Sequence, residues 1–408
     1  MNDQAFLKKL YQCIPLTHSK KTEHYFVTEE MDTSLGSPSK CYPIVHVAGT
    51  NGKGSVVGKI AKALSFSGYR VGVFTSPHLY SIRERIAINE DKISEEDFTR
   101  YGEKIFSKMQ ELQLSMHFFE ILTCMALEYF AKQRVDLVVL ETGIGGLKDS
   151  TNFVTPLLSV ITSISEDHAD LLGSSLEEIA FQKAGIIKNS IPVVLGPRAQ
   201  FTIIEEVAKK KNASVLRTEY TGVYFDEENS VIAKEALHYL NTYFSITEEN
   251  ISLGLQYKPS CRFEVYPQTS FKNIHTPEYV IFDVAHNPDG FERLIEAIHC
   301  KLGKKQLRFI IGMSKDKEIK KNLEVLIRQA SYIHISPVEH FKLLKAVDLK
   351  EAVLALGFTR CSCEESIEQT LRLAFQEAFK ADEILVVCGS FYMMDPIKQV
   401  LGKYYHVE

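Results

Sequence analysis

From residue 42 onward, short apolar runs rich in Val and Ile alternate with longer stretches whose apolar residues recur three and four apart. "YPIVHVAG", "SVVGKIAKALSFSG" and "YRVGVFTS" follow one another. In the middle segment Val56, Val57, Ile60 and Leu64 share a helical face, and Gly68 is placed to end the helix. This pattern predicts a β-α-β unit with a right-handed crossover. Further strands are expected at 135–141, 157–164 and 191–196. After a stretch of mixed pattern at 220–275, a second series is expected at 278–286, 307–313, 332–336 and 383–390. Nearly continuous apolar strands separated by helices imply parallel sheets covered on both faces. The polar, turn-rich "YPQTSFKNIHTP" marks a boundary near 265–277, so two α/β domains are expected, 1–270 and a smaller 277–408.

Composition narrows the class. The 408 residues, 45% hydrophobic and 24% charged, suffice for two or three domains with real cores. A net charge of −5, with Lys and Arg scattered, argues against a nucleic-acid binder. Anionic ligands stay open, because amide clusters hold phosphate even on an acidic protein. The start, "MNDQAFLKKLYQ", lacks the apolar core of a secretion signal, and the apolar runs are too short to span a bilayer. No membrane association is therefore expected. Eight cysteines lie apart without C-x-x-C spacing, which reads as thiols in a reducing compartment, the cytoplasm.

In open parallel sheets, ligands bind beyond the carboxyl ends of the strands. The first such end is "HVAGTNGKGSV", residues 46–56. Gly49, Gly52 and Gly54 let the backbone approach an anion, the helix opening near Ser55 offers free N–H groups, and Lys53 can reach terminal phosphates. The stretch departs from the usual G-x-x-x-x-G-K-[ST] cradle, with Val47 for the first glycine and Gly54 between Lys53 and Ser55. A glycine turn without a ligand is the alternative; the strand before and the helix after favour a nucleotide. Magnesium would accompany it and requires oxygen ligands. Glu141 closes an apolar run, a costly place for a carboxylate unless paired or metal-bound. Ser76 follows a strand but also precedes Pro77, as turn serines do.

"SISEDHADLLGSSLEEIAFQKAGIIK" places Asp167 and His168 after a strand, and Ser175 with Glu178 forms a capping-box pattern. Ile179, Lys183, Ile186 and Ile187 share one face of the helix that follows. A lysine on an apolar stripe either snorkels to solvent or is buried with a lowered pKa. A neutral amine of the second kind can take up carbon dioxide as a carbamate, an anionic group able to serve a metal. In the second domain "FDVAHNPDG" ends a strand with Asp283, His286 and Asn287, either a contact for nucleotide or amino acid or an Asn-Pro turn. "PSCRFEVY" places Arg262 near the boundary, to stabilise a transferring phosphoryl group or to lie on the surface.

Together these motifs resemble the folylpolyglutamate synthase and dihydrofolate synthase family of the Mur ligase superfamily. "HVAGTNGKGS" matches its cradle, "TSPHLYSIRERI" its loop after the second strand, and "ETGIGGLKDSTN" its E-x-G-L-G-G-R-L-D-A-T-N. "ITSISEDHADLLGSSLEEIAFQKAGIIK", "CRFE", "DVAHNPDG" and "CGSFYMMDPIK" resemble its later motifs, in the family's order from about 42 to 397. The resemblance implies a P-loop-type, mostly parallel ATPase domain followed by a smaller Rossmann-like α/β domain.

It also implies roles. Asn51, Gly52, Lys53, Gly54, Ser55, Asn229, Arg262 and Asp283 would bind ATP. Ser76, Glu141 and His168 would hold magnesium, two ions by the family pattern. Lys53, Lys183, Arg262 and His286 would be the catalytic set, Lys183 as its carbamate. His117, Phe118, Phe119 and Glu120, with Lys148, Asp149 and Ser150, would contact the pterin. The implied reaction joins L-glutamate to dihydropteroate and to reduced folates through an acyl phosphate, in folate biosynthesis, by a bifunctional monomeric enzyme.

Three departures bear on substrate preference. Leu147 and Lys148 stand where the family has Arg and Leu, Cys261 replaces a glycine, and residues 17–40 diverge. Two other readings fit a nucleotide cradle. A Mur-type ligase of cell-wall precursors would need an additional amino-terminal domain, for which the 41 residues ahead of the predicted first strand leave no room. A nucleotide-binding switch without ligation would bind or hydrolyse ATP without regard to glutamate or pterin.

Overall fold

The computed structural model describes residues 3–14, 24–271 and 276–405, so residues 17–23 of the divergent stretch lie outside it. The chain divides into two compact units, residues 1–222 with 226–258, and residues 223–225 with 259–408.

The first unit is built on eight strands: β1 (Ile44–Ala48), β2 (Val71–Phe74), β3 (Ile86–Ile88), β4 (Asp91–Lys92), β5 (Leu137–Glu141), β6 (Leu158–Ser163), β7 (Val193–Arg198) and β8 (Val215–Arg217). Their order is β4-β3-β2-β5-β1-β6-β7-β8, parallel except for the β2-β3-β4 edge. The strands predicted from apolar runs occupy the centre, where both faces are covered. On one face Val45, Val47, Val139 and Val160 pack against the helix Lys53–Phe66 and against Ile232 and Leu237 of the helix Phe225–Leu240. On the other, Ile44, Phe74, Val138 and Leu140 meet the helices Glu95–Leu112 and Phe118–Lys132. Burying each such side chain contributes roughly 1.5–3 kcal/mol.

The connections after β1 and β6 run toward opposite edges of the sheet. The gap between these two strands is therefore a topological switch point, where open α/β sheets bind ligands. A buried lysine braces the helix that starts there. Lys59 donates to the carbonyls of Leu255 (2.6 Å) and Tyr257 (2.9 Å) and pairs with Asp226 at 3.0 Å. Burial lowers its pKa, and Asp226 opposes that shift.

The second unit carries β9 (Glu264–Pro267), β10 (Tyr279–Phe282), β11 (Leu307–Ile311), β12 (Ala330–Ile335), β13 (Cys361–Cys363) and β14 (Ile384–Cys388), ordered β13-β12-β11-β14-β10-β9. Only β9 is antiparallel. Its last two residues, Tyr266 and Pro267, open the polar stretch that marked the boundary, yet it belongs to the second sheet, a pairing that composition does not show. No helix among the described residues is long and apolar enough to cross a membrane. All eight cysteines are free thiols.

Candidate active site

The glycine loop expected to cradle phosphate follows β1 directly. Gly52 caps the helix Lys53–Phe66 at φ 86°, in the left-handed region that favours glycine. A Cβ there would lie 2.3 Å from Asn229 Oδ1, so Asn229 is packed against the turn. At Gly49 a Cβ would collide with Thr162 Oγ1 at 1.8 Å. The end of β6 fastens the loop. The hydroxyls of Thr162 (2.6 Å) and Ser163 (3.0 Å) donate to the Asn51 carbonyl, and the Thr50 N–H donates to the Ser163 carbonyl at 2.8 Å. Ser165 N–H donates to the Thr50 hydroxyl at 3.1 Å. Thr162, Ser163 and Ser165 were not among the sequence candidates. Their only signal was a run of hydroxyl residues closing an apolar strand.

Lys53 Nζ donates to the carbonyls of Gly49 (3.1 Å) and Thr50 (3.3 Å) and lies 3.9 Å from Glu141 Oε1. Glu141 sits opposite Val47 in the β1–β5 register, which carries its carboxylate to the cradle. Its Oε2 accepts the Ser76 N–H at 2.9 Å. The structure thus gathers Lys53, Glu141 and Ser76, three of the predicted residues, at the carboxyl ends of β1, β5 and β2. A carboxylate and a hydroxyl are hard oxygen donors of the kind magnesium takes, so these residues fit that ion. Among the described residues no three His, Cys, Asp or Glu side chains converge as a metal cluster. The predicted set contains only two such residues, Glu141 and His168. His168 opens the short helix Ala169–Leu172 at φ 50°, with Nε2 3.9 Å from Asp167 Oδ1.

The capping box of Ser175 and Glu178 is formed, and the helix runs Leu176–Ala184. Gly185 ends it, so Ile186 and Ile187 lie beyond the helix rather than on its face. Lys183 is 3% exposed and does not snorkel. The neighbouring Gln182 carbonyl accepts the Leu147 N–H at 2.6 Å, tying this helix to the loop after Glu141.

That loop has its own brace. Asp149 is buried and accepts from Ile144 N–H (2.9 Å), Thr151 N–H (3.0 Å) and the Thr151 hydroxyl (2.6 Å). Because the Thr151 hydroxyl donates its one hydrogen to Asp149, it accepts from His46 Nε2, 2.8 Å away. That leaves His46 Nδ1 as a bare acceptor, and it is buried with no hydrogen-bond partner among the described residues. Burial, with a smaller push from Lys188, lowers the His46 pKa to about 3. Burial also raises that of Asp149, against its hydrogen bonds.

The other predicted pterin residues adjoin this loop. Phe119 packs on Gly143, where a Cβ would meet its ring at 2.6 Å. Glu120 is buried and accepts the His117 N–H at 2.6 Å, capping its own helix. Phe118 lies under the Arg85 guanidinium at 5.3 Å, and Arg85 Nε donates to His78 Nδ1 at 2.9 Å. Ser150 is buried beside Thr123, whereas Lys148 is exposed. Arg85 and His78, which pack beside Phe118, were not among the sequence candidates.

In the second unit Asp283 is buried at the end of β10. It accepts Phe263 N–H through Oδ2 and Ala285 N–H through Oδ1, both at 2.7 Å. Burial raises its pKa, and the Arg262 charge opposes this. The Arg262 guanidinium lies 5.0 Å from the Phe391 ring, and the His286 ring is 5.7 Å from the same phenyl. Asn287 caps the helix Pro288–Leu302 by accepting Gly290 N–H at 2.8 Å.

Comparison with known proteins agrees with this architecture. Residues 47–256 match the family model "Mur ligase middle domain", and 268–400 match "Dihydrofolate synthetase, C-terminal domain". The chain is similar to a Bacillus subtilis dihydrofolate synthase/folylpolyglutamate synthase, 32% identical over 91% of this chain and 94% of that one. Among solved structures it resembles E. coli FolC in complex with DHPP and ADP, at 27% identity, 98% of each chain and a TM-score of 0.85. It also resembles a Yersinia pestis bifunctional folylpolyglutamate synthase/dihydrofolate synthase complexed with AMPPNP and Mn ion, at 28% identity, 99% of this chain, 98% of that one and a TM-score of 0.83.

Proposed function

The chain belongs to the dihydrofolate synthase/folylpolyglutamate synthase family of Mur-type ligases, and we propose that it joins L-glutamate to dihydropteroate and to reduced folates in an ATP-driven reaction. The observation that carries this reading is the meeting of Lys53, Glu141 and Ser76 at a glycine cradle opened by a helix N-terminus. Such an arrangement receives a polyphosphate and places cationic and oxygen-donor groups at its end.

In this reading the cradle N–H groups of 51–55 and Lys53 hold the β- and γ-phosphates, and Asn229 and Asp283 contact the nucleotide. A pterin carboxylate oxygen attacks the γ-phosphorus, the bond to ADP breaks, and an acyl phosphate forms. The α-amine of glutamate then attacks the acyl carbon, the carbon–oxygen bond to phosphate breaks, and the amine loses a proton as the amide forms. Lys53 and Arg262 spread the charge that develops on the transferring group. Ser76, Glu141 and His168 would hold magnesium, which when bound neutralises phosphate charge. Lys183, buried on the helix that packs against the loop following Glu141, would as a carbamate turn a neutral amine into an anion able to serve that metal. His286 would serve the same phosphates.

For the pterin, Phe118, Phe119, His117 and Lys148 supply contact surface. Asp149, Glu120 and Ser150 shape it from behind, since both carboxylates already accept backbone N–H groups. Free thiols throughout suit the reducing cytoplasm.

The test is phosphate release from ATP with glutamate and each pterin supplied separately and together. Release coupled to amide product, and dependent on both partners, is expected. ATP hydrolysis indifferent to glutamate and pterin would identify a nucleotide switch instead.

A further inference from the structure

Arg262 is the middle residue of a turn whose two flanks both adopt left-handed backbone, Cys261 at φ 56° and Phe263 at φ 48°. Neither flank is glycine, and side chains with a Cβ disfavour this conformation. Such a turn persists only where its surroundings hold it. One side of it is held by the end of β10, through Phe263 N–H to Asp283 and Val284 N–H to the Cys261 carbonyl at 3.0 Å. The other side depends on Glu264, whose Oε2 accepts Cys261 N–H at 2.7 Å.

Glu264 is in turn gripped by Lys398. Its Nζ donates to Oε1 at 2.7 Å and Oε2 at 2.6 Å, and reaches the Ser260 hydroxyl at 3.3 Å. The ammonium also lies 5.6 Å from the Tyr266 ring centre and 5.4 Å from that of Phe282. Lys398 is 14% exposed, well short of a solvated surface cation. It stands on the helix Met394–Tyr405, and Phe391, over which the Arg262 guanidinium lies, belongs to the turn Phe391–Met393 immediately before that helix. One carboxy-terminal segment therefore grips the Arg262 turn twice, at its base through Glu264 and at its tip through the phenyl ring.

We propose that Lys398 is a positioning residue for Arg262: through Glu264 it holds the strained 261–263 turn that aims the guanidinium. This rests on the role given to Arg262 above. Removing the ammonium leaves Glu264 with a weaker grip on Cys261 N–H, the turn relaxes, and the guanidinium leaves its working position.

The test is a double-mutant cycle in the coupled phosphate-release assay, at a temperature where thermal melts show every variant folded. Lys398→Met keeps the apolar stem and removes the charge. It is expected to lower kcat by about 10- to 100-fold, as small misplacements of catalytic groups do. Lys398→Arg is expected to recover most of that loss. In an Arg262→Ala background the same Lys398→Met change is expected to cost nothing further, because a residue acting through Arg262 has nothing left to position. If Lys398→Met does not fold, Glu264→Gln breaks the same pair from the other side, with the same non-additivity expected. Equal losses in both backgrounds, or no loss in the wild type, overturn the inference while leaving the ligase reading intact. Should Arg262→Ala alone leave turnover unchanged, the Arg262 assignment itself falls, and the inference with it.

Discussion

Asn229 closes directly on Gly52: a Cβ at Gly52 would come within 2.3 Å of Asn229 Oδ1, and Asn229 is itself 6% exposed. The helix Phe225–Leu240 thereby limits the space around the cradle as closely as the cradle's own residues do. Gly52→Ala must therefore displace a packed amide and also hold alanine at φ 86°. We expect unfolding free energy to fall by about 1–3 kcal/mol in urea denaturation. ATP affinity measured by titration calorimetry should weaken in parallel, and unchanged affinity would show that the turn can relax without loss.

Lys53 presents its ammonium between the Gly49 carbonyl and the Glu141 carboxylate. Lys53→Ala should lower kcat for glutamate-dependent phosphate release by about 10²- to 10³-fold, the usual loss when one charge-stabilising donor is removed. Turnover at the wild-type rate would refute its contact with the transferring phosphoryl group.

Glu141→Gln preserves shape and removes charge at the end of β5. Activity titrated against magnesium should show a half-saturating concentration higher by about tenfold or more. An unaltered titration would place the metal elsewhere.

His46 links pH to stability. Its folded-state pKa is lowered to about 3, so between that value and its unfolded value near 6.5 only the unfolded chain binds the proton. Stability is therefore lost as pH falls from 6.5 toward 3, by about 1.4 kcal/mol per pH unit for this one group. The slope between pH 6.0 and 5.0 in urea denaturation of the wild type should contain that contribution. In His46→Gln it should be smaller by that amount, and equal slopes would exclude His46 as the source.

Cys261 stands at φ 56°, in the left-handed region that favours glycine. Cys261→Gly removes about 1 kcal/mol of backbone strain but also loses a buried thiol of similar worth, so stability should change by less than about 1 kcal/mol. Cys261→Val adds a β-branched side chain to the same backbone and should cost about 2–3 kcal/mol. Equal stability of the two variants in urea would show that the turn is not strained.

The central strands β1, β2, β5 and β6 were legible because burial on both faces demands continuous apolar residues. Strands β3, β4, β8, β9 and β13 span two to four residues at or near sheet edges, where half-exposed sequence carries no such demand. Glu141 stood out for a similar reason, since a charge at the end of a buried strand needs an explanation, and Lys53 stood out by its place in a glycine-rich turn before a helix.

Chain order and residue type were thus enough for two mostly parallel α/β sheets, and for a glycine turn with a cation and a carboxylate worth attention, since each follows from local pattern or from the cost of burying charge. Folding alone assigned the partners. Thr162 and Ser163 fasten the cradle because β6 lies beside β1, Asp149 turns inward because Thr151 and the 143–144 backbone meet it there, and Lys183 is buried because of what packs over it. Hydrogen bonds between distant segments depend on which strands become neighbours, and local sequence does not specify that adjacency.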